Sequence, residues 1–405
     1  MSWPLVNLAD VAYFQEGPGI RKWQFREEGI KLINVKNIVN EQLVIKNSDK
    51  FLDPLEVEDK YTHFLCDEGD LVMASSGATW GKTAWVAKRD LPLCMNTSMI
   101  RFKALDNNIL DIRYLRHYLK TAEFSRDMDR IITGSAQPNF GSSHLKQILI
   151  PLPHLTEQKR ISAILDKADA IRRKRQHAIK LADEFLRAVF LDMFGDPVEN
   201  TMGWDVKNLK ELSTKIHSGN TPTGGREVYV DKGIAFFRSQ NVWKNKLELN
   251  DIAYLDHATH KKMAKSSLKN RDILMTKTGR INTENSSLGR AAMYLGEDDA
   301  ANINGHVYLI RLKNPELNEL ILFILTTREY RDYIRSVCVG GIDKRQLNKD
   351  HIEQFPIINP PVELQKKFVG LMQLVESKKE KAQQSFQESQ KLFNTLSQKA
   401  FSGEL

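Results

Sequence analysis

No apolar run in this chain approaches the roughly eighteen residues a membrane helix needs, so a bilayer-spanning helix is excluded. Cysteine is scarce. Cys66, Cys94 and Cys338 are scattered and odd in number, which excludes a disulfide framework and fits a reducing cytoplasm. The start, MSWPLVNLADV, has no basic segment leading into an apolar one, so no secretory leader is read there.

Catalytic signatures are equally thin. The histidines show no pairing with Cys, Asp or Glu at ligand spacing, and HATH (His257, His260) sits in a polar stretch read as a loop, with no second cluster. No Gly-x-Ser-x-Gly and no paired carboxylates stand out. SSGATWGKTAW approaches a phosphate-binding loop, but Gly77 falls one residue late, and TAWVAKRDLP reads as strand and turn rather than helix. NPPV, from Asn359 to Val362, resembles a DNA methyltransferase signature but has valine where an aromatic would stack on a flipped base. Nucleotide hydrolysis and methyl transfer by this chain are disfavoured.

What is present is length, charge and repetition. At 405 residues two or more domains are expected, and a net charge of +8 is compatible with a polyanionic partner. Sliding the chain against itself by about 201 to 210 residues sets WPLVNLADVA against WDVKNLKELS, EGDLVMASSG against NRDILMTKTG, and MIRFK against LIRLK. The chain is two copies of one unit. Each copy holds strand-length apolar runs (GIKLINV, GDLVMAS; GIAFFRS, RDILMTK), then one helical pattern (IRYLRHYLKTAEF; LNELILFILTTREYRDYI), then a polar loop and a long helix.

The long helices are read from about Thr156 to Phe194 and from about Glu363 to Phe401, each after a proline. A four-three apolar spacing runs through Ile161, Leu165, Ala168, Ile179, Leu186 and Val189, and recurs in Phe368, Met372, Val375, Phe386, Phe393 and Leu396. That is a heptad seam at equivalent positions. Antiparallel pairing would set Arg175 opposite Ala382 and Lys379 opposite Ala178, and Phe401 would lie relative to Trp3 as Phe194 lies relative to Trp204. The fold class is therefore α+β: a tandem pair of globular α/β domains separated by two long antiparallel coiled-coil helices, with pseudo-two-fold symmetry.

The remaining chemistry lies in matched polar loops: GPGIRKWQFR, NVKN, SSGATWGK and GSAQPNFGSSHLK in the first copy, and GNTPTGGR, RSQNVWKN, KTGRINTENSS and GGIDKRQLNK in the second. Their Arg, Lys, Asn, Gln and Thr side chains suit contacts to base edges and phosphates. The candidate DNA contacts are Arg21, Lys22, Gln24, Lys36, Asn37, Thr79, Lys82, Gln137 and Asn139, with Arg226, Arg238, Gln240, Asn241, Lys277, Arg280, Asn282, Lys344 and Arg345. The basic run RRKR, Arg172 to Arg175, reads as a helix face near a backbone or a partner.

Two such units, each closed by a Gly-led loop, a PLPxLxEQKRI segment and a long helix, resemble the specificity subunits of type I restriction-modification enzymes over the whole chain. The sharpest residues are Gly134, Ser135, Gln137, Pro151, Pro153, Glu157, Gln158, Lys159, Arg160 and Ile161. In the second copy GGIDKRQL replaces GSAQ, and Leu364 replaces the glutamate before Gln365. The resemblance implies target recognition domains at 1–153 and 197–360, and spacer helices at 154–196 and 361–405. It also implies double-stranded DNA, two modification (methyltransferase) subunits and restriction/translocase subunits as partners, in the cytoplasm and without membrane. This chain would bind no cofactor. S-adenosylmethionine would belong to the modification subunit, ATP and Mg to the restriction subunit. Two rival readings stand beside it: a catalytic DNA adenine methyltransferase, and a coiled-coil scaffold without DNA readout.

Overall fold

The apolar runs of the first copy pair with one another in the computed structural model, which describes residues 3–46, 49–77, 80–132, 139–281, 286–341 and 344–405. A four-stranded antiparallel sheet forms in the order Ala12–Glu16, Met99–Ala104, Leu71–Ala74, Thr83–Trp85. Both faces are covered. Leu71, Met73, Ile100 and Phe102 feed one core, while Val72, Ala74, Ala84 and Met99 feed another, so these strands read as continuous rather than alternating apolar runs. The second core is shared with Ile33, Leu93 and Met95 of a three-stranded sheet ordered Lys50–Leu52, Ile30–Ile33, Leu93–Met95, its last pair parallel.

The second copy repeats the plan. Its antiparallel sheet runs Ser213–Ser218, Val307–Leu312, Ile273–Thr276, Ala291–Met293, and a further sheet runs Tyr229–Val230, Ala253–Leu255, Ile234–Phe237, Ala301–Ile303 with a parallel last pair. Each copy also holds a buried aspartate against an arginine of the central sheet: Asp70 with Arg101 at 3.6 Å, and Asp272 with Arg311 at 2.7 Å.

The chain divides into two units, Met1–His177 with Ala382–Leu405, and Ala178–Lys381. The long helices, Leu155–Phe194 and Val362–Ser402, each contribute to both. In the first unit Arg160 donates to the Leu405 carbonyl (2.8 Å), Arg172 to Gln390 (3.1 Å) and Arg175 to the Ser385 carbonyl (2.6 Å). Rising numbers meet falling ones, so the helices are antiparallel there. The second unit shows the same sense, with Asp183 beside Lys379 at 2.8 Å and the rings of Phe190 and Phe368 5.4 Å apart. The Ser385 carbonyl anchors Arg175 and the Asp183 carboxylate anchors Lys379, each about one turn along the partner helix from the expected Ala382 and Ala178. The twelve seam residues from Ile161 to Leu396 are all buried or half-buried.

The helix ends repeat too. Gln158 is fully buried and donates to the Pro153 carbonyl (2.8 Å), while Gln365 donates to that of Pro360 (2.6 Å), so the glutamine of the EQKRI segment ties each helix start to the proline before it. The Trp3 indole donates to the Ala400 carbonyl (2.7 Å) and the Trp204 indole to that of Phe194 (3.0 Å), satisfying carbonyls that a helix end leaves open.

Two local readings change. Each single helical pattern is two helices, Ile112–Tyr118 with Ala122–Ile131 and Asn318–Thr326 with Arg328–Val337. Thr121 and Thr327 cap the second member of each pair, accepting from the amides of Phe124 (3.1 Å) and Tyr330 (3.2 Å). HATH is not a loop but the start of a helix, His257–Lys262, because Asp256 accepts from the Thr259 amide at 2.8 Å. Among the described residues no helix is long and apolar enough to cross a membrane, and no group of His, Cys, Asp or Glu could hold a metal ion.

Candidate nucleic-acid interface

Strand order brings the polar loops of each copy to one end of its sheet. In the first unit Gly17 follows the strand ending at Glu16, and its amide donates to the Met99 carbonyl (3.1 Å). Ser75 donates to Ser98 (2.8 Å), Phe140 to Ser75 (3.1 Å), and Asn96 to Ile33 (3.0 Å). The stretches carrying IRKWQFR, NVKN, WGK and NF therefore all leave the same end. A Cβ on Gly17 would lie 2.3 Å from the Asn96 carbonyl oxygen, so only glycine lets the first loop turn so close. Gly219 plays the same part, its missing Cβ 2.1 Å from the Ile303 oxygen, while Lys277 donates to His306 (2.8 Å) and Leu347 to Lys277 (2.9 Å).

A cleft opens at this end in each unit. The first, of about 1070 Å³, lies between the Asn34–Asn37 turn, the Val39–Glu41 hairpin tip and Trp80–Thr83, with Lys36, Lys82 and Lys120 on its walls. The second, about 490 Å³, lies between the Ser239–Asn241 turn and residues 278–280 and 286–290, with Gln240, Trp243, Arg280, Arg290 and Lys344 on its walls. The guanidinium of Arg290 stacks 3.8 Å from the Trp243 ring centre.

The candidate contacts thus separate. Lys36 and Lys82 share the first cleft, and Gln240, Arg280 and Lys344 the second. Lys36 also pairs with Asp49 at 2.9 Å. Arg21, Lys22, Asn139 and Arg226 are exposed outside the clefts. Arg238 pairs with Asp251 at 3.1 Å, Lys277 lies 5.6 Å from the Tyr308 ring centre, and Arg345 donates to the Cys338 carbonyl at 3.1 Å.

Gln24, Asn37 and Asn241 are placed otherwise. All three are buried, and their amides are used internally. Gln24 accepts from the Arg21 amide (2.8 Å) and donates to Glu56 (2.7 Å). Asn37 accepts from the Asn34 amide and donates to the Val44 carbonyl, and Asn241 does the same between Arg238 and Glu248, all four bonds at 3.0 Å. They brace the turns that present their neighbours. Thr79, Gln137 and Asn282 lie outside the described residues, as do Gly134 and Ser135.

One charged cluster had no signal in the sequence. Glu41, at the hairpin tip, takes Lys120 on one carboxylate oxygen, and Arg116 and Arg173 on the other, the last at 2.9 Å. Burial pushes its carboxyl up, but the Lys120, Arg116 and Arg173 charges outweigh this and hold it below the ordinary carboxylate range. Asp166 is likewise held low, chiefly by its hydrogen bond to His117 (2.8 Å). Arg173 also pairs with buried Asp169 at 2.6 Å, and Arg172 bonds Asp169 at 2.6 Å, so the RRKR run is largely engaged within its own unit.

A family model described as the type I restriction modification DNA specificity domain matches twice, at residues 2–181 and 202–385. The chain is 22% identical over 355 residues to the StySPI specificity subunit of Salmonella potsdam, covering 83% of this chain and 74% of that one. It is 27% identical over 195 residues to the MjaVIII specificity subunit of Methanocaldococcus jannaschii, covering 47% of this chain but only 45% of that relative. In fold it is similar to the crystal structure of a type I restriction-modification S subunit from M. genitalium, with a TM-score of 0.55 at 17% identity, covering 99% of this chain and 96% of that one. A chain from a structure of a type I system described for its complex assembly and conformational transition gives 0.56 at 16% identity, covering 100% and 98%.

Proposed function

The chain belongs to the type I restriction-modification DNA specificity family, and from that premise we propose that each unit reads one half of a bipartite duplex target at the loop end of its sheet. The observation that carries this is the convergence, in both copies, of separately encoded cationic and amide-bearing loops on one cleft. Lysines in the first cleft suit phosphate contacts, whereas Gln240 and Arg280 in the second have the forked donors that read adenine and guanine edges.

The chain is a recognition component rather than an enzyme. In this reading the paired long helices set the distance between half-sites and offer the surface on which two methyltransferase subunits dock, with S-adenosylmethionine, ATP and Mg held by the partner subunits in the cytoplasm. A charge of +8 over 405 residues is dilute, so the isolated chain should bind duplex weakly and gain discrimination with its modification subunits. Single-molecule sequencing of methylated adenines in the host, with and without this gene, tests the reading. It expects one interrupted motif to lose methylation, and an unchanged methylome would refute it.

A further inference from the structure

We propose that Trp23 is a nucleic-acid contact of the first unit, its indole packing against bases or deoxyribose of the duplex while Arg21 and Lys22 hold flanking phosphates; this rests on the reading above. Trp23 is 71% exposed, an unusual position for the residue with most to gain from burial. Its backbone is nonetheless firmly held. The Lys22–Gln24 turn is fastened from beneath by Gln24, whose side chain accepts from the Arg21 amide (2.8 Å) and donates to Glu56 (2.7 Å) and the Tyr61 hydroxyl (3.0 Å). Arg26 adds a bond from its guanidinium to the Trp23 carbonyl at 3.0 Å and a main-chain bridge to Phe51.

A braced turn that presents an indole next to two exposed cations has its ordering entropy largely settled before a partner arrives, which is the condition for an effective contact. Placement and charge choose the partner. The turn leaves the sheet at the same end as the Trp80–Lys82 stretch, through Gly17 against Asn96. Cations beside an aromatic complement phosphate beside sugar and base, and apolar side chains inserted among base steps are an established mode of DNA contact. The turn at Gly225–Val228 in the second unit carries Arg226 and no tryptophan, so the contact is particular to the first half of the target.

The test uses the full chain, alone and with the host's modification subunits, and duplexes enriched on the wild type from a random-sequence pool. Trp23→Ala should weaken binding roughly five- to a hundredfold without altering its salt dependence, and Trp23→Phe should restore most of it. Removing Arg21 and Lys22 together should flatten the logarithmic salt slope by about two. Leu105→Ala, exposed at the opposite end of the same sheet, should bind as wild type. If the wild type enriches no duplex, this proposal and the recognition reading fall together. If it does and Trp23→Ala binds equally well, only the Trp23 contact is overturned. Unchanged DNA binding with loss of a modification subunit from the complex would overturn it as well, and make Trp23 a protein contact.

Discussion

Glu41→Ala is expected to cost the first unit about 2–4 kcal/mol. Removing one partner of a buried ion pair typically costs about 3–5 kcal/mol, because the other charge is left desolvated and uncompensated. The side chains of Arg116 and Lys120 are 5% and 20% exposed, and that of Glu41 is 22% exposed, so most of this penalty applies. Arg173 is 42% exposed and adds little. Asp166 still faces Arg116 and Asp169 still faces Arg173, which leaves Lys120 as the main loser and sets the reduced figure. Glu41 also holds φ at +64°, so Glu41→Gly should recover about 1 kcal/mol relative to alanine. Calorimetry of the full chain should show the first unit's transition falling by about 5–15 °C, given roughly 2–4 °C per kcal/mol at this size. Because the carboxyl is held low in the folded state, the stabilisation is present above the ordinary glutamate value of 4.5 and is lost as pH falls through the lower folded value. Wild type and variant should therefore converge in strong acid. A loss below about 0.5 kcal/mol at neutral pH, or one that is independent of pH, would refute the network as drawn.

Inserting one heptad into both long helices should lengthen each by roughly 10 Å and widen the gap between half-sites by about three base pairs, with the half-sequences unchanged; methylome sequencing reads this, and an unchanged gap with altered half-sequences would count against the spacer. Arg290→Lys keeps the charge but loses the planar stack on Trp243, so duplexes altered in the second half-site should be discriminated less well while discrimination in the first half holds, as competition binding would show. Gln158→Ala strands the Asp111 amide and the Pro153 carbonyl in a buried site and should cost about 2–3 kcal/mol in urea unfolding, whereas the exposed neighbour Lys159→Ala should be near neutral.

The repeat, the long helices and the seam were legible because each is written in a period, and periods survive without knowledge of neighbours. The threonine caps at 121 and 327 were not, since helical spacing can be followed across both and the capping bond shows only in the fold. Glu41 was invisible for another reason: its cations come from residues 116, 120 and 173, and no spacing links them to a hairpin tip. The amides at 24, 37 and 241 were legible as loop polars but not as turn braces, because base edges and main-chain amides ask for the same donors and acceptors.

The duplication itself offers a way to separate these roles. If the two units read different half-sequences, then a residue recurring at matched positions with matched bonds cannot be what distinguishes the halves. Asn37 and Asn241, Gln158 and Gln365, Trp3 and Trp204, and Gly17 and Gly219 all recur, and in the structure all eight hold turns or helix ends. The cleft residues do not recur: Lys36 stands where the second copy has Gln240, and Lys82 where it has Arg290. On that premise identity between the copies marks scaffold, and divergence at the cleft marks the candidate readers. Trp23 lies outside the cleft, but it too has no tryptophan counterpart in the second copy's turn, as the proposed contact with one half of the target requires.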